Sequence, residues 1–86
     1  MQFVRTERFK RAYQKLEPAE HELVKKALRQ LVADRAHPGL RVKRIQGPAD
    51  IWEMRAGRDI RITFEITGEA YIFRNVGHHD ATLRKP

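Results

Sequence analysis

Residues 60–66 read I-R-I-T-F-E-I, and this stretch decides the fold of the chain. Apolar and polar side chains alternate along it, which is the pattern of a strand with one buried face. The segments 51–56 (I-W-E-M-R-A) and 70–76 (A-Y-I-F-R-N-V) flank it, and the triplets G-R-D and T-G-E between the segments are typical of tight turns. The C-terminal half therefore predicts an antiparallel sheet built from successive hairpins.

The N-terminal half predicts two helices after a short first strand. Thr6 is a suitable N-cap for a helix through about Leu16, where apolar residues recur at helical spacing. Pro18 suits the first turn of a second helix, which we expect to run to about Ala36. A strand within residues 40–45 follows. The order β-α-α-β-β-β-β predicts an α+β fold, with the first strand and a helical hairpin packed on one face of a small antiparallel sheet and the other face solvated.

Length and composition favour a single small, basic domain over residues 1–86. The 18 lysines and arginines outnumber the 11 aspartates and glutamates, so the formal net charge is +7. Such a charge favours a nucleic acid or an acidic protein as partner, although small domains without a polyanionic partner can also be basic. No cysteine is present, which excludes disulfides and thiolate metal sites. Because no secretory signal or membrane-spanning run is recognisable, we expect a cytoplasmic protein.

Three charged residues are predicted to share the solvated face of the sheet. If Met54 and Ile62 point toward the helices, then Glu53, Arg55 and Arg61 point away from them and lie close together. One interpretation is a cross-strand ion-pair ladder. The other is a small catalytic surface, in which a carboxylate takes a proton and two guanidinium groups hold phosphate oxygens.

The segment 78–80 (H-H-D) provides the second chemical signal. Histidine titrates near neutral pH and can act as a general acid or base. Adjacent residues of an extended segment point to opposite sides, so at most one of the two histidines reaches the sheet face. Alternatively, one histidine caps the sheet edge and the other is solvated. His21 and His37 show no ligand spacing, so we expect no metal site.

The string W-E-M-R-A-G-R-D-I-R-I-T-F-E-I (52–66), followed by a strand that ends in V-G-H-H-D (76–80), resembles the RelE/ParE superfamily of type II toxin–antitoxin toxins. The resemblance implies a small toxin that is neutralised by a cognate antitoxin. In the RelE branch, the toxin enters the ribosomal A site and cleaves mRNA without a metal, leaving a 2′,3′-cyclic phosphate and a 5′-hydroxyl. In the ParE branch, the toxin inhibits DNA gyrase by binding and needs no nuclease residues.

The resemblance also implies roles for individual residues. Arg61 matches the arginine that holds the scissile phosphate, and Glu53 and Arg55 match two active-face positions on the preceding strand. His79 matches a C-terminal position that acts on the leaving group, and Asp80 would orient it. We prefer Glu53 and His79 as the acid–base pair. The catalytic tyrosine that some members carry near the C-terminus has no counterpart here.

We favour the RelE branch, a ribosome-dependent endoribonuclease that inhibits translation. The expected partners are a cognate antitoxin, the ribosome at its A site and mRNA, with no membrane and no cofactor. Six further basic residues are expected to contact RNA: Arg41, Lys43, Arg58, Arg74, Arg84 and Lys85. A ParE-like toxin that binds gyrase is the alternative, and a non-catalytic basic domain is a third possibility.

Overall fold

The computed structural model describes residues 1–86. The elements in chain order are β1 (Gln2–Arg5), α1 (Glu7–Gln14), α2 (Pro18–Ala33), β2 (Lys43–Arg44), β3 (Trp52–Arg55), β4 (Ile60–Thr67), β5 (Ala70–His78) and α3 (His79–Arg84). The α+β architecture predicted from the sequence is confirmed. One short helix, α3, is added at its C-terminal end.

The five strands form one sheet in the order β1-β5-β4-β3-β2. The last four strands pair antiparallel as successive hairpins, as predicted. β1 instead pairs parallel with β5, so the sheet is mixed rather than wholly antiparallel. The reason is topological, because two helices separate β1 from the other strands and parallel neighbours require such a crossover.

Both long helices begin where the sequence predicts. The backbone N–H of Phe9 donates to Oγ1 of Thr6 at 3.1 Å, which caps α1. Pro18 is the first residue of α2, and the N–H of Glu17 donates to Oε1 of Glu20 at 2.8 Å, one half of a capping box. No helix of the chain is both long enough and apolar enough to cross a membrane.

α2 ends at Ala33, earlier than the predicted Ala36. Asp34 has an extended backbone, and its carboxylate accepts a hydrogen bond from the N–H of Ala36 at 3.0 Å. An aspartate that binds the backbone two residues further on stabilises a turn rather than another helical turn. The following loop is longer than expected, so β2 contains only residues 43–44 of the predicted strand.

The core lies between the two long helices and one face of the sheet. Met54, Ile62 and Phe64 have no exposed surface, and the apolar stripes of the helices pack against them. Tyr71 and Phe73 of β5 are also part of this core. This side of the sheet is therefore the apolar face that the alternating pattern predicts.

The opposite face is less solvated than predicted. Thr63 has no exposed surface there, and Glu53 and Arg61 expose only 8% and 5% of theirs. The C-terminal segment covers part of this face, since Oγ1 of Thr63 donates to the carbonyl of Pro86 at 3.1 Å. The polar face is consequently partly covered instead of fully solvated.

Candidate active site

A polar cleft opens on the sheet face opposite the long helices, and we call it the central cleft. Its volume is about 210 Å³, and no apolar residue lines it. All four residues predicted to be catalytic line this cleft, together with two of those predicted to bind RNA: Glu53, Arg55, Arg61, His79, Arg41 and Lys43. Four permanent positive charges, one carboxylate and one histidine therefore share a small volume. Their chemical roles remain predictions.

Strand pairing explains why these side chains meet. In the antiparallel β3–β4 pair, Arg55 lies directly opposite Arg61, and Met54 lies directly opposite Ile62. Because side chains alternate along a strand, Glu53 and Arg55 point away from the core that contains Met54. The proximity of Glu53, Arg55 and Arg61 that the sequence predicts is thus present in the folded chain.

The alternative interpretation, a cross-strand ion-pair ladder, is wrong. No ion pair within 4.0 Å includes Glu53, Arg55 or Arg61. The Glu53 carboxylate also accepts no hydrogen bond from another residue. Glu53 as a residue is largely buried, but its carboxylate oxygens reach the cleft, because no side-chain oxygen of the chain is both buried and without a partner. The carboxylate is therefore open to a ligand that enters the cleft.

The Arg61 guanidinium is held in place by backbone groups. Its Nη1 donates to the carbonyls of Arg58 at 3.1 Å and Ile60 at 3.0 Å. Burial lowers the pKa of Arg61 below its ordinary value, and the charge of Arg55 lowers it further, whereas the Glu53 carboxylate raises it. Arginine remains charged at neutral pH despite such a shift. Arg61 therefore presents a fixed positive charge to the central cleft.

Arg41 enters the central cleft from a strained backbone. Its φ of +47° lies in the left-handed region, which costs a non-glycine residue about 1–3 kcal/mol. The preceding Leu40 is buried in the core, and its carbonyl accepts the N–H of Arg55 at 2.7 Å. These contacts hold the loop against β3 and keep Arg41 at the cleft. Strain of this kind concentrates at functional sites.

His79 is positioned by contacts on both its backbone and its ring. Its N–H donates to the carbonyl of Asp59 at 2.7 Å, which fixes the start of α3 beside the β3–β4 turn. Nδ1 lies 2.8 Å from Oδ1 of Asp80, and this hydrogen bond, followed by the charge of His79, lowers the pKa of Asp80 below its ordinary value. With Nδ1 engaged by Asp80, Nε2 is the ring nitrogen available for proton exchange.

Gly77 lies at the point where α3 packs on the sheet. It lies directly opposite Arg61 on β5, and a Cβ atom at this position would lie 2.7 Å from Oγ1 of Thr82. Thr82 is buried against the strand. The absence of a side chain at Gly77 therefore lets α3, which carries His79, pack closely on the sheet.

A second cleft adjoins the central one and shares Arg61 and His79 with it. Its volume is about 590 Å³, and two further residues predicted to bind RNA, Arg58 and Arg84, line it. We call it the adjoining cleft. A ligand that spans the two clefts would pass between Arg61 and His79.

Arg74 and Lys85 are not brought to these clefts. A β-bulge separates the pairs Thr63–Asn75 and Phe64–Phe73, which leaves Arg74 as the extra residue on β5. Arg74 forms an ion pair with Glu65, with Nη1 and Oε2 2.5 Å apart. Neither Arg74 nor Lys85 lines the central or the adjoining cleft. Their assignment to RNA binding remains a prediction without support from this geometry.

His79, and not His78, lines the cleft that contains Glu53. Nε2 of His78 instead lies 3.1 Å from Oε2 of Glu20 in the first turn of α2. The expectation that only one histidine of the pair reaches the polar face of the sheet therefore holds for the central cleft.

Sequence reasoning misses α3 and the packing of the C-terminal segment on the sheet. The available signal is Gly77, because a glycine near the end of a strand often marks the close approach of another segment. A six-residue helix has too few residues for its period to be recognised reliably. These features are therefore visible only in the folded chain.

No protein-family model matches this chain, and no curated protein matches its sequence. Solved structures match it over almost its whole length. The YoeB/ParE toxin from Agrobacterium tumefaciens matches with a TM-score of 0.75 at 15% identity, covering 92% of this chain and 99% of that one. A chain of the RelB–RelE antitoxin–toxin complex from Methanococcus jannaschii matches with a TM-score of 0.75 at 20% identity, covering 96% and 99%. YafQ from E. coli matches with a TM-score of 0.74 at 14% identity, covering 93% and 94%.

At such low sequence identity, the matches show that these proteins share a fold with this chain and show nothing further. The three structures match to nearly the same degree, although they carry different names. A shared fold does not by itself determine function, which must be argued from the site. The resemblance inferred from the sequence is confirmed at this level: the chain has the fold of the RelE, ParE, YoeB and YafQ toxins.

Proposed function

We propose that this protein is the toxin of a toxin–antitoxin system and acts as a metal-independent endoribonuclease on ribosome-bound mRNA. The observation that carries the proposal is the central cleft, in which the Glu53 carboxylate, engaged in no ion pair, lies with a histidine and four permanent cations. The fold supports the toxin class, since solved relatives include toxins and one of them is in complex with an antitoxin.

The reaction is an internal transfer at phosphorus. The 2′-hydroxyl oxygen of one ribose attacks the adjacent phosphorus, so that a P–O2′ bond forms while the P–O5′ bond breaks. Glu53 accepts the proton of the 2′-hydroxyl, and protonated His79 gives a proton to the departing 5′-oxygen. The products are a 2′,3′-cyclic phosphate and a 5′-hydroxyl. Positioned acids and bases typically contribute about 10²- to 10⁴-fold to such a rate.

Arg55 and Arg61 bind the phosphate oxygens during this step. Negative charge accumulates on the phosphorane, and fixed cations stabilise it without having to reorganise. The two backbone contacts of the Arg61 Nη1 atom provide this preorganisation. The same groups would hold the phosphate in the ground state, so their removal weakens both binding and chemistry.

Asp80 supports the proton transfer by His79. Its carboxylate accepts the Nδ1 hydrogen, which orients the ring. Nε2 then faces the leaving oxygen. Asp80 acts through His79 and is therefore a positioning residue.

The proposed partners follow from the positive charge of the protein. A net charge of +7 and a strongly basic cleft suit an acidic segment of a cognate antitoxin, which would neutralise the toxin by covering the cleft. The ribosome would supply the mRNA strand in an extended conformation. These partners belong to the same proposal.

The test is the mapping of mRNA ends on ribosomes after a short pulse of expression. We expect cuts at the A site with cyclic phosphate ends, and we expect His79→Ala to lower the cleavage rate by about 10²- to 10⁴-fold. His37→Ala is the control, because His37 lies in the loop after α2 and lines neither cleft of the candidate site. Wild-type cleavage by a folded His79→Ala variant would remove His79 from the mechanism.

The same experiment tests the gyrase alternative. One matching structure carries the name YoeB/ParE, so the fold is compatible with both branches. Growth arrest with an SOS response and intact mRNA would indicate gyrase inhibition and overturn the nuclease proposal. The absence of growth arrest would indicate a non-catalytic basic domain.

A further inference from the structure

A third basic groove lies between α1 and α3, and we call it the α1–α3 groove. Its volume is about 390 Å³, and the last residues of β5, 75–78, form one of its sides. Arg8 and Arg11 line it from α1, Lys15 lines it from the C-cap position of that helix, and no carboxylate lines it. The functional site described above does not use this groove.

The groove exists because β1 is short. β1 pairs only with residues 70–73 of β5, so residues 74–78 have no strand on that side. α1 follows β1 directly and packs beside β5, and its first aromatic residue, Phe9, contacts Phe73. The basic face of α1 is thereby placed along the free edge of β5 and opposite α3.

Two of the three cations of the groove are free to bind a ligand. Arg8 donates to the carbonyls of Lys85 and Pro86, so it holds the C-terminal segment. Arg11 and Lys15 are exposed, lie one helical turn apart and take part in no ion pair within 4.0 Å. Their spacing presents two positive charges on the same wall of the groove.

The α1–α3 groove is connected to the two clefts of the candidate active site through shared lining residues. It shares His78 and Ala81 with the adjoining cleft, which in turn shares Arg61 and His79 with the central cleft. The path around α3 is lined by nine of the 18 lysines and arginines but by only three of the 11 aspartates and glutamates. A basic path of this kind is suited to the backbone of a single-stranded nucleic acid.

We propose that the α1–α3 groove binds phosphates of the substrate RNA strand on one side of the cleaved bond, with Arg11 and Lys15 as the contacts. This inference rests on the proposed function. No phenylalanine, tyrosine or tryptophan lines the groove, so we expect binding there to depend mainly on phosphates and to tolerate many sequences. The bound strand then passes from the central cleft around α3 to α1.

The test compares short and long probes that cannot be cleaved. Oligodeoxyuridylates lack the 2′-hydroxyl, and lengths of about three and about twelve nucleotides distinguish the central cleft from the whole path. R11Q/K15Q removes the two contacts. K25Q/R29Q is the matched control, because it removes the same charge at the same helical spacing from exposed positions of α2 outside the path.

For the long probe, we expect R11Q/K15Q to reduce the slope of log affinity against log salt by about 1.4, since each phosphate contact on a single strand contributes about 0.7. The short probe and the control variant should show the wild-type slope. Equal effects of the two variants, or equal effects on the two probes, would overturn the inference.

A binding assay with purified ribosomes distinguishes whether the groove contacts the substrate strand or ribosomal RNA. If R11Q/K15Q weakens ribosome binding but leaves the long probe unaffected, the groove faces ribosomal RNA and the inference fails. The two proposals also fail separately. If the wild-type protein does not cleave mRNA, the proposed function is contradicted. If it cleaves normally but R11Q/K15Q and K25Q/R29Q bind the probes identically, only the proposed role of the α1–α3 groove is contradicted.

Discussion

Two neighbouring cross-strand pairs of β3 and β4 face opposite sides of the sheet. Met54 and Ile62 face the helices and have no exposed surface, while Arg61, opposite Arg55, is nearly as buried with 5% exposed. The first pair is apolar, and the second places two like charges against each other. The similar burial of Ile62 and Arg61 therefore has opposite energetic consequences on the two faces.

The difference shows that the apolar face stabilises the fold, whereas the charged face does not. Burial of apolar surface stabilises the helix-facing side by about 25 cal/mol per Å². Like charges directly opposite on adjacent strands destabilise a sheet, and burial of a charge costs desolvation. The cationic face can persist because the apolar face supplies enough stability, and this pattern is expected where a site binds a polyanion.

The largest effect is expected on the apolar side. Ile62→Ala should lower the free energy of unfolding by about 2–5 kcal/mol, because it leaves a cavity in the fully buried core. Urea denaturation with the midpoint and slope fitted separately measures this loss. A loss below about 1 kcal/mol would contradict the assignment of stability to the helix-facing pair.

An intermediate effect is expected where α3 packs on the cationic face. Gly77→Ala should cost about 1–3 kcal/mol and lower mRNA cleavage, because the new Cβ collides with Oγ1 of Thr82 and shifts α3 with His79. G77A/T82A removes that oxygen and should recover part of both losses, which a double-mutant cycle measures. Strictly additive effects of the two substitutions would show that the contact between Gly77 and Thr82 does not position His79.

A smaller effect of opposite sign is expected for the charged pair itself. Arg55→Gln should raise the free energy of unfolding by about 0.2–1 kcal/mol, because it removes the like charge opposite Arg61. The gain should shrink at high salt, and affinity for RNA should fall. Arg29→Gln on the exposed face of α2 is the control, for which stability should not rise. A loss of stability in Arg55→Gln would contradict the repulsion.

The smallest effect is expected at the edge of the site and depends on pH. The hydrogen bond from His79 lowers the pKa of Asp80 in the folded chain below its ordinary value of 3.8. The contribution to stability is therefore fully present above that ordinary value and is lost as the pH falls through the lower folded value. Urea midpoints should show Asp80→Asn and wild type converging on acidification below about pH 4. A difference that widens on acidification would contradict this linkage.

The faces of the central strands could be predicted from the sequence because the period of two is a local property. It places Glu53, Arg55 and Arg61 on one side, and the structure confirms that they line one cleft. Helix starts were equally predictable, since Thr6 and Pro18 act within one turn. Helix ends and strand lengths were harder to predict from the sequence. Asp34, for example, ends α2 because its side chain binds the backbone N–H of Ala36 and so competes with the helix.

The amino-acid sequence by itself determined the α+β class, the apolar and polar faces of the sheet and the position of Glu53, Arg55 and Arg61 on the polar face. Only the tertiary structure decided that β1 runs parallel to β5, that Arg74 is diverted to Glu65, and that α3 brings His79 to Arg61. The physical reason is the range of the forces involved. Alternation and capping act between near neighbours, whereas these features depend on contacts between residues far apart in the chain, such as Thr63 with Pro86.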